Sequence, residues 1–274
     1  MIYIREDLKE VFKEFRSIDD FMQLDINIVR DFKNRKTGYF QLDSKVFYIK
    51  KHFKSGIGAI ADELFHLRKP HIGASHERYA LEKFAKLGID TMKIVAFGQN
   101  GTTLANQRSF LVTERIEKVK SLEEICGRWP SEPPPVKFKQ ALIKKVAEIA
   151  KTIHENGMNH RDFYICHFLL DISDGASEYQ NHPPKLFLID LHRVQEHSKL
   201  PFRWQVKDIG GLYFSTMDIG LTRSDIFRFM RFYSGKSLRH TFQQDKRFWN
   251  AVHRRAVRTY YKEFGKLPTL VTKD

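Results

Sequence analysis

Asn159-His160-Arg161-Asp162-Phe163-Tyr164-Ile165-Cys166-His167-Phe168-Leu169-Leu170-Asp171 is the stretch on which the reading of this chain turns. It opens on polar residues and runs into the apolar Phe168-Leu169-Leu170, so Asp162 belongs to a turn that feeds a strand. A carboxylate is one of the side-chain types able to accept a proton in catalysis. The tripeptide His160-Arg161-Asp162 could arise by chance in 274 residues. Its surroundings decide.

Just upstream, Phe138, Leu142, Val146, Ile149 and Ile153 form a sustained apolar stripe at helical spacing. The helix starts after a Pro-rich segment, Pro130–Pro135, and Gly157 stops it as a C-terminal cap would. Downstream, strand Phe168–Ile172 leads through the polar stretch Ser173–Pro184 to a second apolar strand, Lys185–Ile189. Asp190 ends that strand, followed by Leu191-His192-Arg193. Further on, Lys207-Asp208-Ile209-Gly210-Gly211-Leu212 begins a helix with Asp208 near its start, suited either to hold the loop's backbone or to complement the helix dipole. Thr222–Lys262 is helical in pattern, with Phe227, Met230 and Phe242 as core candidates.

The first part of the chain has a different texture. Ile26–Phe32, Gly38–Leu42 and Val46–Lys51 are short, rich in β-branched or aromatic residues and joined by polar turns, which predicts antiparallel strands. The connection Lys33-Asn34-Arg35-Lys36 has no glycine to present backbone N–H groups to a phosphate, and its cations suit either part of that neutralising or a solvated hairpin tip. Lys50 ends the third strand, and alternation places Lys51 on the opposite face. A helix follows over Ser75–Leu87, capped by Ser75, with Glu77, Leu81 and Phe84 on one face. A carboxylate on an apolar face needs a cation, and Lys50 is the candidate. Strands at Thr91–Phe97 and Ser109–Ile116, joined by the turn Gln99-Asn100-Gly101, complete the region.

Lysine strand, glutamate helix, aspartate loop and a second aspartate after a strand come in the order protein kinases use. In that plan Asp162 is the catalytic base, with Arg161 supporting its loop. Lys50 holds the ATP phosphates and pairs with Glu77, backbone groups between Glu114 and Ile116 meet the adenine edge, and Asp190 binds Mg2+. His167 stands where those enzymes carry a metal-holding asparagine, so it enters the metal site as a candidate contact to a phosphate oxygen or metal-bound water. The expected fold class is α+β: a protein-kinase-like two-lobe fold with an antiparallel-sheet N-lobe, residues 1–117, and a mainly helical C-lobe, residues 118–274.

Composition narrows the partners. No apolar run approaches the roughly 18 residues of a membrane helix, and the start of the chain lacks a signal peptide's apolar centre. Two cysteines, Cys126 and Cys166, argue against a disulfide framework and for a reducing cytosol, with Cys166 read as a buried thiol. The net charge of +14 is concentrated late: Thr222–Lys262 holds eleven Lys/Arg and two Asp. Such a surface draws an anionic partner or simply solubilises the chain. No zinc-finger, RNA-recognition or basic-zipper signature is present, so nucleic acid is not expected. His66, His71 and His76 recur at a spacing that does not share a helical face and are set aside as metal ligands.

The run 159–170, the segment Leu188-Ile189-Asp190-Leu191-His192-Arg193, Gly210-Gly211-Leu212-Tyr213-Phe214-Ser215, Gly220-Leu221-Thr222-Arg223-Ser224-Asp225-Ile226 and Asp90-Thr91-Met92 resemble the lipopolysaccharide core heptose(I) kinase family of Gram-negative bacteria. The resemblance covers most of the chain. It implies an ATP- and Mg2+-dependent sugar kinase that phosphorylates the first heptose of the inner core, at its 4-hydroxyl, on a lipid A-core glycolipid. It places the enzyme in the cytoplasm at the inner face of the inner membrane, with peripheral membrane contact, and suggests acyl carrier protein as a partner. Asp162, Lys50, Glu77 and Asp190 match the family's catalytic, phosphate-binding, helix-partner and metal positions. Rival readings are a kinase for Kdo or protein tyrosine, and a non-catalytic pseudokinase that binds anionic lipid.

Overall fold

The computed structural model describes residues 2–32, 34–54, 73–101, 106–173 and 183–269. These divide into two compact units. Met1–Ala85 with Thr91–Glu117 form the first, and Lys86–Asp90 with Lys118–Asp274 the second.

In the first unit, strands β1 (Ile2–Ile4), β2 (Asn27–Phe32), β3 (Arg35–Leu42), β4 (Lys45–His52), β5 (Ile94–Asn100) and β6 (Arg108–Glu114) make one antiparallel sheet in the order β1-β5-β6-β4-β3-β2. Alternation along β4 buries Phe47, Ile49 and Lys51 on one side and leaves Tyr48 and Lys50 half-buried on the other. The buried side packs with Phe12, Phe21, Phe40 and Phe110, and the Phe21 and Phe110 rings stack with centroids 4.1 Å apart. Burying each such ring contributes about 2–3 kcal/mol. Phe21 is carried on helix α1 (Ile18–Gln23), which starts in a capping box between Ser17 and Asp20. Helix α2 (Ser75–Lys86) buries Glu77, Ala80, Leu81 and Phe84.

Several boundaries differ from expectation. Arg35 and Lys36 belong to β3, opposite His52 and Lys51, so the hairpin connection is tighter than Lys33–Lys36; Lys33 lies outside the described residues. Cross-strand pairing extends both strands past the apolar pattern. For the same reason Gln99 and Asn100 are strand residues. Ser75 is the first residue of α2 rather than its cap, since the Arg78 amide bonds to the Ala74 carbonyl.

The second unit is mainly helical. It comprises α3 (Leu122–Cys126), α4 (Val136–Glu155), α5 (Phe202–Ser215), α6 (Arg223–Ser234), α7 (Leu238–Gln244) and α8 (Lys246–Phe264). Short strands β7 (Val119–Ser121), β9 (Phe168–Asp171) and β10 (Leu186–Leu188) form a small sheet, and β8 (Met158–Asn159) pairs with β11 (Gln195–Glu196). The α4 stripe is core: Phe138, Leu142, Val146, Ile149 and Ile153 are all buried. Gly157 ends the helix at φ +74, and a Cβ there would run into the His197 carbonyl oxygen. Both the dihedral and that approach call for glycine.

Of the late core candidates only Met230 is buried. Phe227 is half-buried and Phe242 is 45% exposed, the two rings packing edge-on at 5.1 Å. The expectation fails because a short α7 turns its aromatic toward α6 at the surface. Cys166 is likewise half-exposed, and Cys126 is the buried thiol, lifted to about 12 by burial. No helix among the described residues is long and apolar enough to cross a membrane.

Candidate active site

In the first unit, Lys50 Nζ donates to Glu77 Oε1 at 2.6 Å. Glu77 is only 3% exposed, so an ionised carboxylate there is tolerable chiefly because the ammonium meets it. The adjacent Lys51 goes to the other side. Its ammonium donates to the carbonyls of Met22, at 3.2 Å, and Leu24, at 2.5 Å, at the C-terminal end of α1. Burial holds it below the usual lysine range. Lys50 is thus the lysine that meets a carboxylate, and Lys51 caps a helix. Of the adenine-edge candidates, the Glu114 amide is spent on the Lys93 carbonyl and the Arg115 amide on the Val46 carbonyl, while the Glu114 side chain pairs with Arg5.

In the second unit the aspartate loop is held from below by Asp208. Contrary to the sequence expectation, Asp208 sits in the middle of α5, so a dipole role at the helix start does not apply. Fully buried, it accepts from the His160 amide at 2.6 Å and the Arg161 amide at 2.8 Å. His154 Nε2 approaches the same carboxylate at 3.4 Å, with Tyr233 on its other nitrogen at 2.8 Å. Arg161 takes a left-handed φ of +74, which turns the next residue, Asp162, out of the buried row. The Asp162 side chain is 16% exposed, and Arg193 Nη1 donates to its two oxygens at 2.8 and 3.0 Å.

Asp190 also lies in the left-handed region, at φ +63, directly before the single turn Leu191–Arg193. His192 Nδ1 donates to its Oδ1 at 2.7 Å, and His167 Nε2 lies 3.6 Å from its Oδ2. His167 Nδ1 in turn donates to the Asp162 carbonyl at 2.7 Å. His160 Nε2 donates to the Ile189 carbonyl at 3.0 Å, and the Ile189 amide to the His167 carbonyl at 3.0 Å. His160, His167 and Arg193 therefore stitch the Asp162 turn to the Asp190 turn. Buried His160 is pushed down, toward the neutral form. For His167 burial also works against the charge, but the Cys166 sulfur, the Asp162 carbonyl and Asp190 outweigh it and lift the imidazole to about 9.

This donor set suits magnesium in one respect. Mg2+ takes oxygen ligands, keeps several waters and needs only one or two protein carboxylates besides substrate phosphates. Asp190, a partly exposed carboxylate, fits that part. His167, a nitrogen donor favouring its protonated form, fits contact with a phosphate oxygen or metal-bound water better than direct ligation. Among the described residues no group of three or more His, Cys, Asp and Glu is arranged to hold a metal. His66 and His71 lie outside those residues.

A family model described as the lipopolysaccharide kinase (Kdo/WaaP) family matches residues 19–233. The chain belongs to this family. A lipopolysaccharide core heptose(I) kinase WaaP of Escherichia coli is 36% identical over 94% of this chain and 96% of its own length. The enzyme of the same name from Pseudomonas aeruginosa is 34% identical over 96% and 97%. A solved structure described as WaaP in complex with acyl carrier protein has a TM-score of 0.78 at 33% identity, covering 95% of this chain and 99% of that one. The protein-kinase-like α+β fold read from the sequence is that of the family, and the chain is a sugar phosphotransferase by kinship.

Sequence reasoning passed over Arg193, His192 and Lys207. Their only signal was position, since each matters through a tertiary neighbour.

Proposed function

We propose that this kinase transfers the γ-phosphoryl group of ATP to the 4-hydroxyl of the first heptose of the lipopolysaccharide inner core. The observation that carries the reading is the Asp162 loop, seated on buried Asp208 and tied to Asp190 through His160, His167 and Arg193. Such a loop presents one carboxylate to an acceptor and another to a cation. Asp162 accepts the hydroxyl proton as the new O–P bond forms and the bond to the β-phosphate oxygen breaks, releasing ADP. Asp190 would hold Mg2+, which supplies charge neutralisation at the phosphates, with His167 alongside. Lys50, fixed by Glu77, neutralises phosphate charge, and backbone groups between Glu114 and Ile116 take the adenine edge. Positioning and electrostatics supply most of the acceleration in such transfers.

The test is transfer from ATP, with and without magnesium, to glycolipids ending in heptose or in Kdo and to tyrosine peptides, with mass analysis of the product. Magnesium-dependent phosphate on heptose alone supports the reading; phosphate on Kdo or tyrosine selects a rival. Absence of any ATP consumption that requires both acceptor and magnesium would leave the binding-only alternative.

Two features support partners. The last helix exposes Lys246, Arg247, Arg254, Arg255, Arg258 and Lys262, a face suited to anionic headgroups at the cytoplasmic side of the inner membrane or to an acidic protein. An apolar cavity of about 250 Å³ within the second unit, lined by Trp129, Leu142, Val146, Ile209, Met230 and others, suits an acyl chain. Both favour an acyl carrier protein bearing its chain, and a thermal shift seen with the acylated but not the unacylated carrier tests it.

A further inference from the structure

Around Asp162 the second unit gathers three cations, Arg161, Arg193 and Lys207. Arg193 caps both oxygens of the Asp162 carboxylate, at 2.8 and 3.0 Å, yet its side chain remains 36% exposed. Beside it, Trp204 collects cations: Arg161 at 5.2 Å, Arg203 at 5.1 Å and Lys207 at 5.4 Å from the ring centroid. An indole face offsets part of their mutual repulsion and so concentrates charge where solvent alone would disperse it. Among the described residues, Asp162 and Asp208 act on both Arg161 and Lys207, and Asp208 already receives two loop amides. Lys207 shows the imbalance. Burial and then Arg193 and Arg161 pull it down to about 8, against the opposing pull of Asp162 and Asp208.

The Arg193 contact has a consequence for transfer. The oxygens it covers are those an acceptor hydroxyl must reach, so an arriving acceptor has to share or displace the guanidinium. Displacing it breaks two charge-assisted hydrogen bonds, a loss that another anion meeting the guanidinium would offset. An oxyanion carried by the acceptor would serve.

We propose that Arg193, Arg161 and Lys207 form an oxyanion subsite for the acceptor, in which Arg193 exchanges Asp162 for a carboxylate or phosphate borne by the acceptor next to the reacting hydroxyl. The subsite rests on the reading of Asp162 as the base and makes acceptor charge a condition of catalysis. Arg193 is then a positioning residue while it holds Asp162 and a specificity residue once the acceptor is bound. Lys207 and Arg161 complete the anion's surroundings.

The test is steady-state kinetics on three acceptors: intact core glycolipid, the same glycolipid with its carboxylates reduced to alcohols, and the same glycolipid with its phosphates removed. Wild-type protein should show a KM about tenfold or more higher on whichever stripped form lacks the recognised group, the order of one charged contact. That arm names the source. In Lys207→Met the ratio of stripped to intact KM should fall toward one, with KM for ATP within about twofold of wild type. Arg193→Gln should lower kcat on the intact acceptor more than on the stripped one, and Arg193→Lys should restore part of the discrimination. Lys207→Gln serves if methionine disturbs packing on Trp204, and a melting curve for each variant separates misfolding from recognition. A wild type with equal KM on all three acceptors, or variants that lose by the same factor on each, would overturn the subsite alone. A wild type that phosphorylates none of them would overturn the proposed function and the subsite with it.

Discussion

Lys50 and Lys51 are neighbours on one regular strand of the first unit, while Asp162 and Asp190 of the second unit sit in turns with left-handed backbone at Arg161 and at Asp190 itself. On the strand, alternation alone assigns each lysine a side, and the two sides offer different partners: a carboxylate for Lys50, helix-end carbonyls for Lys51. In the turns no periodicity assigns anything. The carboxylates are aimed by a buried aspartate on another element, by two histidines that bridge turns, and by an arginine from the far turn. Charge on a regular element is placed by local geometry, and charge on a turn by what is packed beneath it.

The largest break in this comparison is expected at Asp162. Asp162→Ala should lower kcat by about a thousandfold, the range of a lost general base, with melting little changed, because the side chain is not part of the packed core. Undiminished transfer would remove the catalytic assignment. Asp208→Ala comes next. It strips two charge-assisted bonds from the loop amides at about 1.5–3 kcal/mol each, so stability and kcat should fall together while KM for ATP stays near wild type. If the loop were self-supporting, chemical denaturation would show no such loss.

For the strand, Lys50→Met leaves Glu77 buried without its ammonium partner. The expected cost is about 3 kcal/mol of stability, together with weaker ATP binding; equilibrium unfolding and nucleotide titration read the two separately. Lys51→Met should cost least, about 1 kcal/mol for the carbonyl contacts. Its signature is in pH. Lys51 in the folded chain lies below the usual 10.5, so between its lowered value and about 10.5 the unfolded chain binds more protons and wild-type stability rises with pH. The methionine variant should lack that rise. Parallel stability curves at pH 7 and 10 for the two proteins would show that burial of Lys51 is not felt.

The same contrast explains what was legible in the residues. The α4 stripe, the Gly157 stop, the β4 register and the Lys50–Glu77 pair follow from spacing, and all are present. The fold class could be read because the lysine strand, glutamate helix and aspartate turns come in a recognisable order. Asp208 was found but misplaced: its neighbours Lys207 and Gly210 suggested a helix start, whereas helix α5 begins at Phe202. Phe242 looked like core because aromatic spacing does not reveal which side a seven-residue helix turns to the protein.

By itself the sequence determined the elements, their order and the residue types able to accept a proton, meet a phosphate or take a cation, because hydrophobic period and motif spacing are local properties of the chain. The tertiary structure alone decided that Arg193 caps Asp162, that Asp208 carries the loop, and that Trp204 crowds three cations beside the candidate base. Those are contacts between residues distant along the chain, and their energies depend on burial and charge that exist only once the second unit has packed.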